Sequence, residues 1–481
     1  MTKVEKEKIL PYNPCSARSI VEYGELLLGH SLKDLYPDAQ LFKGKGGLGN
    51  SVELFHYKYQ PNSEAEPDFS EAGLELKCTP LKLLKDKSMA SKERLVLNII
   101  NYIEEADKTF ITSSFWRKNK FLLLMFYLHK SGVDPVDMIF KLIRTWRFPE
   151  EDLKIIKDDW NIIHKMIIEG HAEDLTEGLT FYLAACMKGS KAGEDMRDQP
   201  FSRVQAQQRA YSLKLGYMNK IVFDSFLQSN LQHQLNLTPK RVKYLTKKYS
   251  AEKIVKSSKS YRRGETFADL VIRRIQPYYG MTIKQIQEKT GVQLNPSKKD
   301  LAYDISRAIF GVKTKKIQEF ENAGVLMKSV TFEANGKTLR EHMSFPYFRY
   351  CEIVNQEWED SDWYISLTSK FFFVVFRKSR SKDKLNMTLE KVLFWNMPIE
   401  DLKICKSLWN DTKQKVINGD YNNFQKQSSS KVCHVRPHGT KGHKVDTPQH
   451  TKEQPKCFWL NNKYIRNIIK PTEETKELFS D

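Results

Sequence analysis

Residues 67–79 read Pro67-Asp68-Phe69-Ser70-Glu71-Ala72-Gly73-Leu74-Glu75-Leu76-Lys77-Cys78-Thr79. From Leu74 to Thr79 apolar and polar residues alternate, the period of a strand with one buried face. Glu75 and Lys77 lie two apart and leave the same face, while Leu74 and Leu76 point to the core. Ala72-Gly73 suits a tight reversal, which brings Asp68 on the incoming arm back towards Glu75. Two carboxylates and an ammonium then meet at one spot.

That set has a chemical use. Two carboxylates hold a hard cation such as Mg²⁺ through oxygen ligands. The cation polarises a phosphodiester and lowers the pKa of water. A neighbouring lysine orients the water and stabilises charge on the phosphate. A solvated Glu–Lys pair on a surface hairpin gives the same spacing, so spacing alone does not decide.

The wider motif does. Pro-Asp, a short spacer and Glu-Leu-Lys resemble the metal-dependent PD-(D/E)XK nucleases. The longer string from Asp68 to Pro80 resembles the MutH mismatch-repair endonuclease and the GATC-cutting type II restriction endonucleases related to it. Lys45-Gly46-Gly47-Leu48-Gly49-Asn50-Ser51-Val52-Glu53 is similar to that family's Lys-Gly-x-x-Gly-x-x-x-Glu, and Thr112-Ser113 followed by Lys118 and Lys120 to its second-lysine stretch. The resemblance implies a Mg²⁺ site of Asp68, Glu75 and Glu53, with Lys77 and Lys118 completing the catalytic set. It also implies duplex DNA containing GATC as substrate and a place in the bacterial cytoplasm.

The bulk numbers agree with such a partner. Lys and Arg outnumber Asp and Glu by 78 to 59, a net +19 over 481 residues, and so large a surplus favours a polyanion. The length calls for two or more domains. Seven scattered cysteines without a Cys-x-x-Cys pair argue for a reducing compartment. No apolar run is long enough to suggest a signal core or membrane span, so no membrane partner is expected.

Along the chain, 16–36 and 46–58 read as helices, the second projecting Glu53 towards the cleft. Residues 93–106 also read as helix. Phe121 to Leu128 reads as a strand covered on both faces, and Leu153 to Gly170 as an amphipathic helix. The last occurs twice. Phe148 to Asn161 recurs as Met397 to Asn410 with nine of fourteen positions identical, at an offset of 249. Gly29–Leu35 matches Gly280–Ile286, and Lys120–Phe126 matches Lys370–Phe376, in the same order. Such a series points to a duplicated domain rather than a solenoid.

The expected fold is therefore α/β, with two tandem restriction-endonuclease-like domains, each a mixed sheet flanked by helices. The expected boundaries are a catalytic domain at 1–230, a basic linker at 231–263 and a DNA-binding domain at 264–481. The second copy has Leu326 in place of Glu75 and Arg307 in place of Glu53, and retains Lys328 for Lys77. It is read as a non-catalytic, allosteric, type IIE-like domain. The family's groove-reading loop is similar to Cys433-His434-Val435-Arg436-Pro437-His438-Gly439, which nominates Arg436, His434 and His438 for DNA; arginine suits guanine. Lys45 and Lys188 are the first copy's candidates. Ser212 falls where the family's methyl-sensing tyrosine is expected, which suggests tolerance of adenine methylation. The reading is a restriction endonuclease that binds two sites as a monomer or DNA-induced dimer. The alternatives are a MutH-like nicking enzyme and a non-catalytic DNA-binding regulator.

Overall fold

The computed structural model describes residues 10–44, 46–61, 65–188, 195–381, 383–439 and 442–471. They fall into two compact units. The first is Met1–Glu173, Thr180–Ser260 and Thr314–Gly324; the second is Asp174–Leu179, Tyr261–Lys313 and Val325–Asp481.

In the first unit the strands are, in chain order, β1 (Glu75–Leu83), β2 (Met89–Ser91), β3 (Leu95–Ile99), β4 (Phe121–Leu128), β5 (Phe140–Arg147), β6 (Leu183–Met187), β7 (Met196–Arg197), β8 (Ala206–Gln207) and β9 (Arg209–Leu213). Phe121 to Phe126 are all buried, so β4 must be covered on both faces, and it lies inside the sheet β2-β1-β4-β5. β1 runs parallel to β4, with Glu75 opposite Leu122 and Lys77 opposite Leu124, and β5 returns antiparallel. A second sheet has the order β3-β9-β6.

The helix Glu150–Ile168 buries Ile155, Ile156, Trp160, Ile163 and Ile167. It also buries Asp159, whose carboxylate accepts from the amides of Phe181, Tyr182 and Leu183 at 2.7, 2.6 and 3.0 Å. Those bonds fix the entry into β6. The helix Leu215–Leu227 packs on the helix Gln318–Ala323 so closely that a Cβ at Gly216 would lie 2.2 Å from the Glu321 carbonyl oxygen. This contact ties 314–324 into the first unit.

The second unit repeats the plan with β10 (Leu326–Phe332), β11 (Met343–Tyr347), β12 (Phe371–Arg377), β13 (Thr388–Trp395), β14 (Cys433–Pro437), β15 (Val445–Asp446), β16 (Lys452–Glu453) and β17 (Lys456–Leu460). Its sheets are β10-β12-β13 and β11-β17-β14, with a β15-β16 hairpin. β10 runs parallel to β12, with Leu326 opposite Phe371. The helix Ile399–Ile417 begins and ends at the same places as Glu150–Ile168, at the offset of 249. Even single bonds recur. Gly29 and Gly280 both take φ +82, and their amides donate to Phe140 O at 3.0 Å and Leu389 O at 2.9 Å. Positive φ is the reason for glycine at both places.

Four segments differ from expectation. Residues 93–106 are not one helix: Leu95 and Leu97 are buried in β3, and a short turn of helix, Tyr102–Glu105, follows an Asn101 cap. Within 16–36 the helix Ala17–Gly24 gives way to a 3₁₀ turn, and a separate turn, Leu32–Leu35, begins at a Ser31 capping box. Residues 46–58 form a short α-helix, Gly47–Ser51, that widens into a π turn over Val52–His56. The expected linker 231–263 carries a helix, Pro239–Tyr249, and its residues up to Ser260 belong to the first unit. Asp86 anchors that helix by accepting from Lys248 Nζ at 2.6 Å.

Candidate active site

The Ser70–Gly73 reversal is closed by Gly73 N donating to Ser70 O at 3.1 Å, with Gly73 at φ +61. Phe69 and Leu74 then exchange main-chain bonds of 3.0 and 3.1 Å. This folds Asp68 back onto β1. The Leu76 amide donates to Asp68 Oδ2 at 2.9 Å, and the Asp68 amide donates to Glu75 Oε2 at 3.0 Å. Each carboxylate is thus held by the main chain beside the other.

Two lysines converge on the other Glu75 oxygen. Lys77 Nζ lies 2.5 Å and Lys118 Nζ 3.9 Å from Oε1. Lys118 comes from the helix Ser114–Asn119, which Ser113 caps through the Trp116 amide at 3.1 Å. Glu53 approaches from the π turn. Its carboxylate makes no hydrogen bond among the described residues, nor does Asp68 Oδ1.

The electrostatics are those of carboxylates crowded in a poorly solvated place. Burial, then Asp68, pushes Glu53 up to about 7 against the pull of Lys77. Burial also raises Glu75 to about 7 while Lys77 opposes it; its side chain is only 1% exposed. Burial works against the Lys77 ammonium, yet Glu75, Asp68 and Glu53 hold its pKa above the ordinary value. Excess negative charge with open oxygens at Glu53 and Asp68 is the donor chemistry of a hard-cation site, and Mg²⁺ fits these residues.

Tyr59 was not singled out by the sequence. Its hydroxyl is buried with no partner among the described residues, and its ring packs edge-on to Phe69 at 5.5 Å. Burial and the charges of Asp68, Glu53 and Glu75 raise its pKa. A lone tyrosine outside any motif carries no signal that could have found it.

The residues expected to touch DNA divide. Lys45 lies outside the described residues. Lys188 is half-buried just past β6. Arg436 is exposed, with its guanidinium over the Trp459 ring at 4.9 Å, and His438 is half-buried beside the same ring. His434 is not available to DNA. It is 2% exposed, Nδ1 is 2.5 Å from Asn461 Oδ1, and burial lowers its pKa to about 4. His434 lies in the buried first part of β14, whereas Arg436 and Pro437 stand at its exposed end. Ser212 is likewise fully buried on β9, opposite Ala184, so its small side chain opens no space at a groove. The expected tolerance of methylation loses its ground.

The candidate site thus gathers Glu75 and Lys77 of β1 with Asp68 from the incoming arm, Glu53 from the π turn and Lys118 from a helix, in a protein of net charge +19. The family model described as DNA mismatch repair enzyme MutH matches residues 57–159 and 310–407, one stretch in each half. The chain is 33% identical to the type II restriction enzyme Sau3AI of Staphylococcus aureus over 496 aligned positions, covering 92% of this chain and 96% of the relative. This protein belongs to the MutH-related type II restriction endonucleases and is a site-specific deoxyribonuclease. Among the described residues no helix is long and apolar enough to cross a membrane.

Proposed function

We propose that this enzyme is Mg²⁺-dependent and makes double-strand cuts in DNA at GATC. The observation that carries the chemistry is the meeting of Asp68, Glu75, Lys77, Lys118 and Glu53 around one carboxylate. Asp68, Glu75 and Glu53 are the residues to hold Mg²⁺, which when bound polarises the scissile phosphate and acidifies water. The chain's own groups do the rest. The Leu76 and Asp68 amides fix the carboxylates, so their orientation is set before substrate arrives. Lys77 leaves its bond to Glu75 to position the attacking water, and Lys118 faces the phosphate charge. Double cutting rather than nicking is favoured by the near full-length likeness to a restriction enzyme.

The second unit fits a duplicated domain that binds DNA without cutting. It keeps the strand pairing and Lys328, carries Leu326 and Arg307 at the acidic positions, and exposes Arg436. Its binding of a second site would favour the cutting-competent first unit, which is coupling between two DNA sites. Catalysis is thus assigned to residues 1–230 and second-site binding to 264–481, working on DNA as a monomer or DNA-induced dimer in the bacterial cytoplasm.

The test is per-site cleavage of matched plasmids carrying one or two GATC sites, with Mg²⁺ or with EDTA. Faster cutting of the two-site plasmid in Mg²⁺, and none in EDTA, is expected. Nicked circles alone would favour the mismatch-repair type of reaction, and equal per-site rates would leave the second unit a passive clamp.

A further inference from the structure

A basic surface lies at the opposite end of β1 from Glu75. The turn joining β1 to β2 is closed by Leu84 N donating to Ser88 O at 2.8 Å, with Lys87 held at φ +62. The helix Pro239–Tyr249 docks on this turn. Arg241 donates to the Asp86 carbonyl at 2.6 Å, Lys248 to its carboxylate at 2.6 Å, and the Tyr249 hydroxyl lies 2.8 Å from Ser88 Oγ.

These ties use the inner cations of the helix and leave the outer ones free. Lys240, Lys243 and Lys247 are exposed and have no anionic partner among the described residues. Their spacing places them on one face. Lys82, Lys85 and Lys87 of the hairpin are exposed in the same way. Hairpin residues 82–91 and helix 239–249 together carry eight cations and one carboxylate, Asp86, which is already neutralised.

We infer that this hairpin–helix surface is a second contact for DNA phosphates, separate from the cleavage site and carried chiefly by Lys240, Lys243 and Lys247. Three observations support it. The cations sit on docked secondary structure, so little ordering opposes binding. The three lysines span about 10 Å of helix, against which duplex DNA presents roughly six phosphate charges. The turn that carries this surface begins about 26 Å along β1 from Glu75, at ~3.3 Å per residue. That distance exceeds the reach of a short duplex seated on the site, since half of a 12-bp duplex measures about 20 Å. The contact therefore takes up a distant stretch of the same DNA and is blind to sequence.

The test measures binding of the full chain without Mg²⁺ as a function of salt, for a 60-bp and a 12-bp duplex each with one central GATC. In Lys240→Gln/Lys243→Gln/Lys247→Gln the slope of log K against log salt should shrink by about 2.7 on the 60-bp duplex and stay unchanged on the 12-bp duplex. Lys82→Gln/Lys85→Gln/Lys87→Gln should give a smaller loss with the same dependence on duplex length, and neither variant touches the Asp86 anchor. An unchanged slope on the long duplex would make this a merely solvated face. An equal loss on both duplexes would put the lysines beside the cleavage site and overturn the remote contact. A separate 12-bp duplex lacking GATC, bound by the unaltered chain, tests the sequence reading independently.

Discussion

Glu75 and Leu326 stand at the same place in their sheets. Each heads a strand that runs parallel to an apolar neighbour, Glu75 opposite Leu122 and Leu326 opposite Phe371. Two residues on, Lys77 and Lys328 also correspond. Lys77 is ion-paired with Glu75 at 2.5 Å, whereas burial lowers the pKa of Lys328, which faces the Phe345 ring at 5.6 Å. At this position, as at Glu53 and its counterpart Arg307, the first unit has a carboxylate that the second lacks.

Glu75→Ala and Asp68→Ala should therefore each reduce cleavage by more than roughly a thousandfold, the scale of losing a group that stabilises transition-state charge. With the proposed roles each change would remove a cation ligand and no base contact, so binding to a GATC duplex should persist in gel-shift titrations. Efficient cutting by both purified variants would remove these residues from the chemistry.

The raised carboxyls make a prediction about pH. Glu53 and Glu75 titrate near 7 in the folded chain but near 4.5 when unfolded. Between those values the folded state holds more protons, so their contribution to stability declines as pH rises through the window and is lost above about 7. Mg²⁺ favours the ionised carboxylates and should offset that loss. The rise in melting temperature on adding Mg²⁺ should be larger at pH 8 than at pH 6, and Glu53→Gln should narrow the difference. An equal rise at both pH values would count against a cation at these residues.

Asp159 predicts a purely structural effect. Asp159→Ala would leave three buried amides without their acceptor at the start of β6, a loss of about 3 kcal/mol or more. The first unit should melt earlier in calorimetry. In the second unit Leu408 stands at the equivalent helix position, so Leu408→Ala should act through a packing cavity instead. An Asp159→Ala melt matching the parent would show that the amides find other partners.

Arg436→Ala should abolish stimulation of a one-site plasmid by an added GATC oligonucleotide, and leave a basal rate that still depends on Glu75. Arg436 is exposed over Trp459, so its loss disturbs no buried packing. Stimulation undiminished in the variant would assign second-site contact elsewhere.

Long periodic segments were legible in the sequence. The unbroken apolar run of β4, the alternation of the strand carrying Glu75 and Lys77, and the helical period of the segments at 150 and 399 each extend over six or more residues. What failed was decided by partners distant in sequence. β3 is five residues long, and the apolar Leu95, Leu97, Ile99, Ile100 and Ile103 read as a helix until β9 pairs with the first of them. His434 is nominated from a groove-reading loop and Ser212 from a methyl-sensing position, but both are buried in strands paired with partners distant in sequence. Glu53 could be nominated from its motif, whereas the π turn that aims it has no sequence signature.

The central claim is that Glu75 and its neighbours make a Mg²⁺-dependent double-strand cut at GATC. Its most direct test is to digest one plasmid of known sequence with the purified chain and with Glu75→Ala, in Mg²⁺, and to sequence every new end. Paired ends at each GATC from the parent, and none from the variant, are predicted. Ends at other sequences, ends on one strand only, or the same ends from the variant would contradict it.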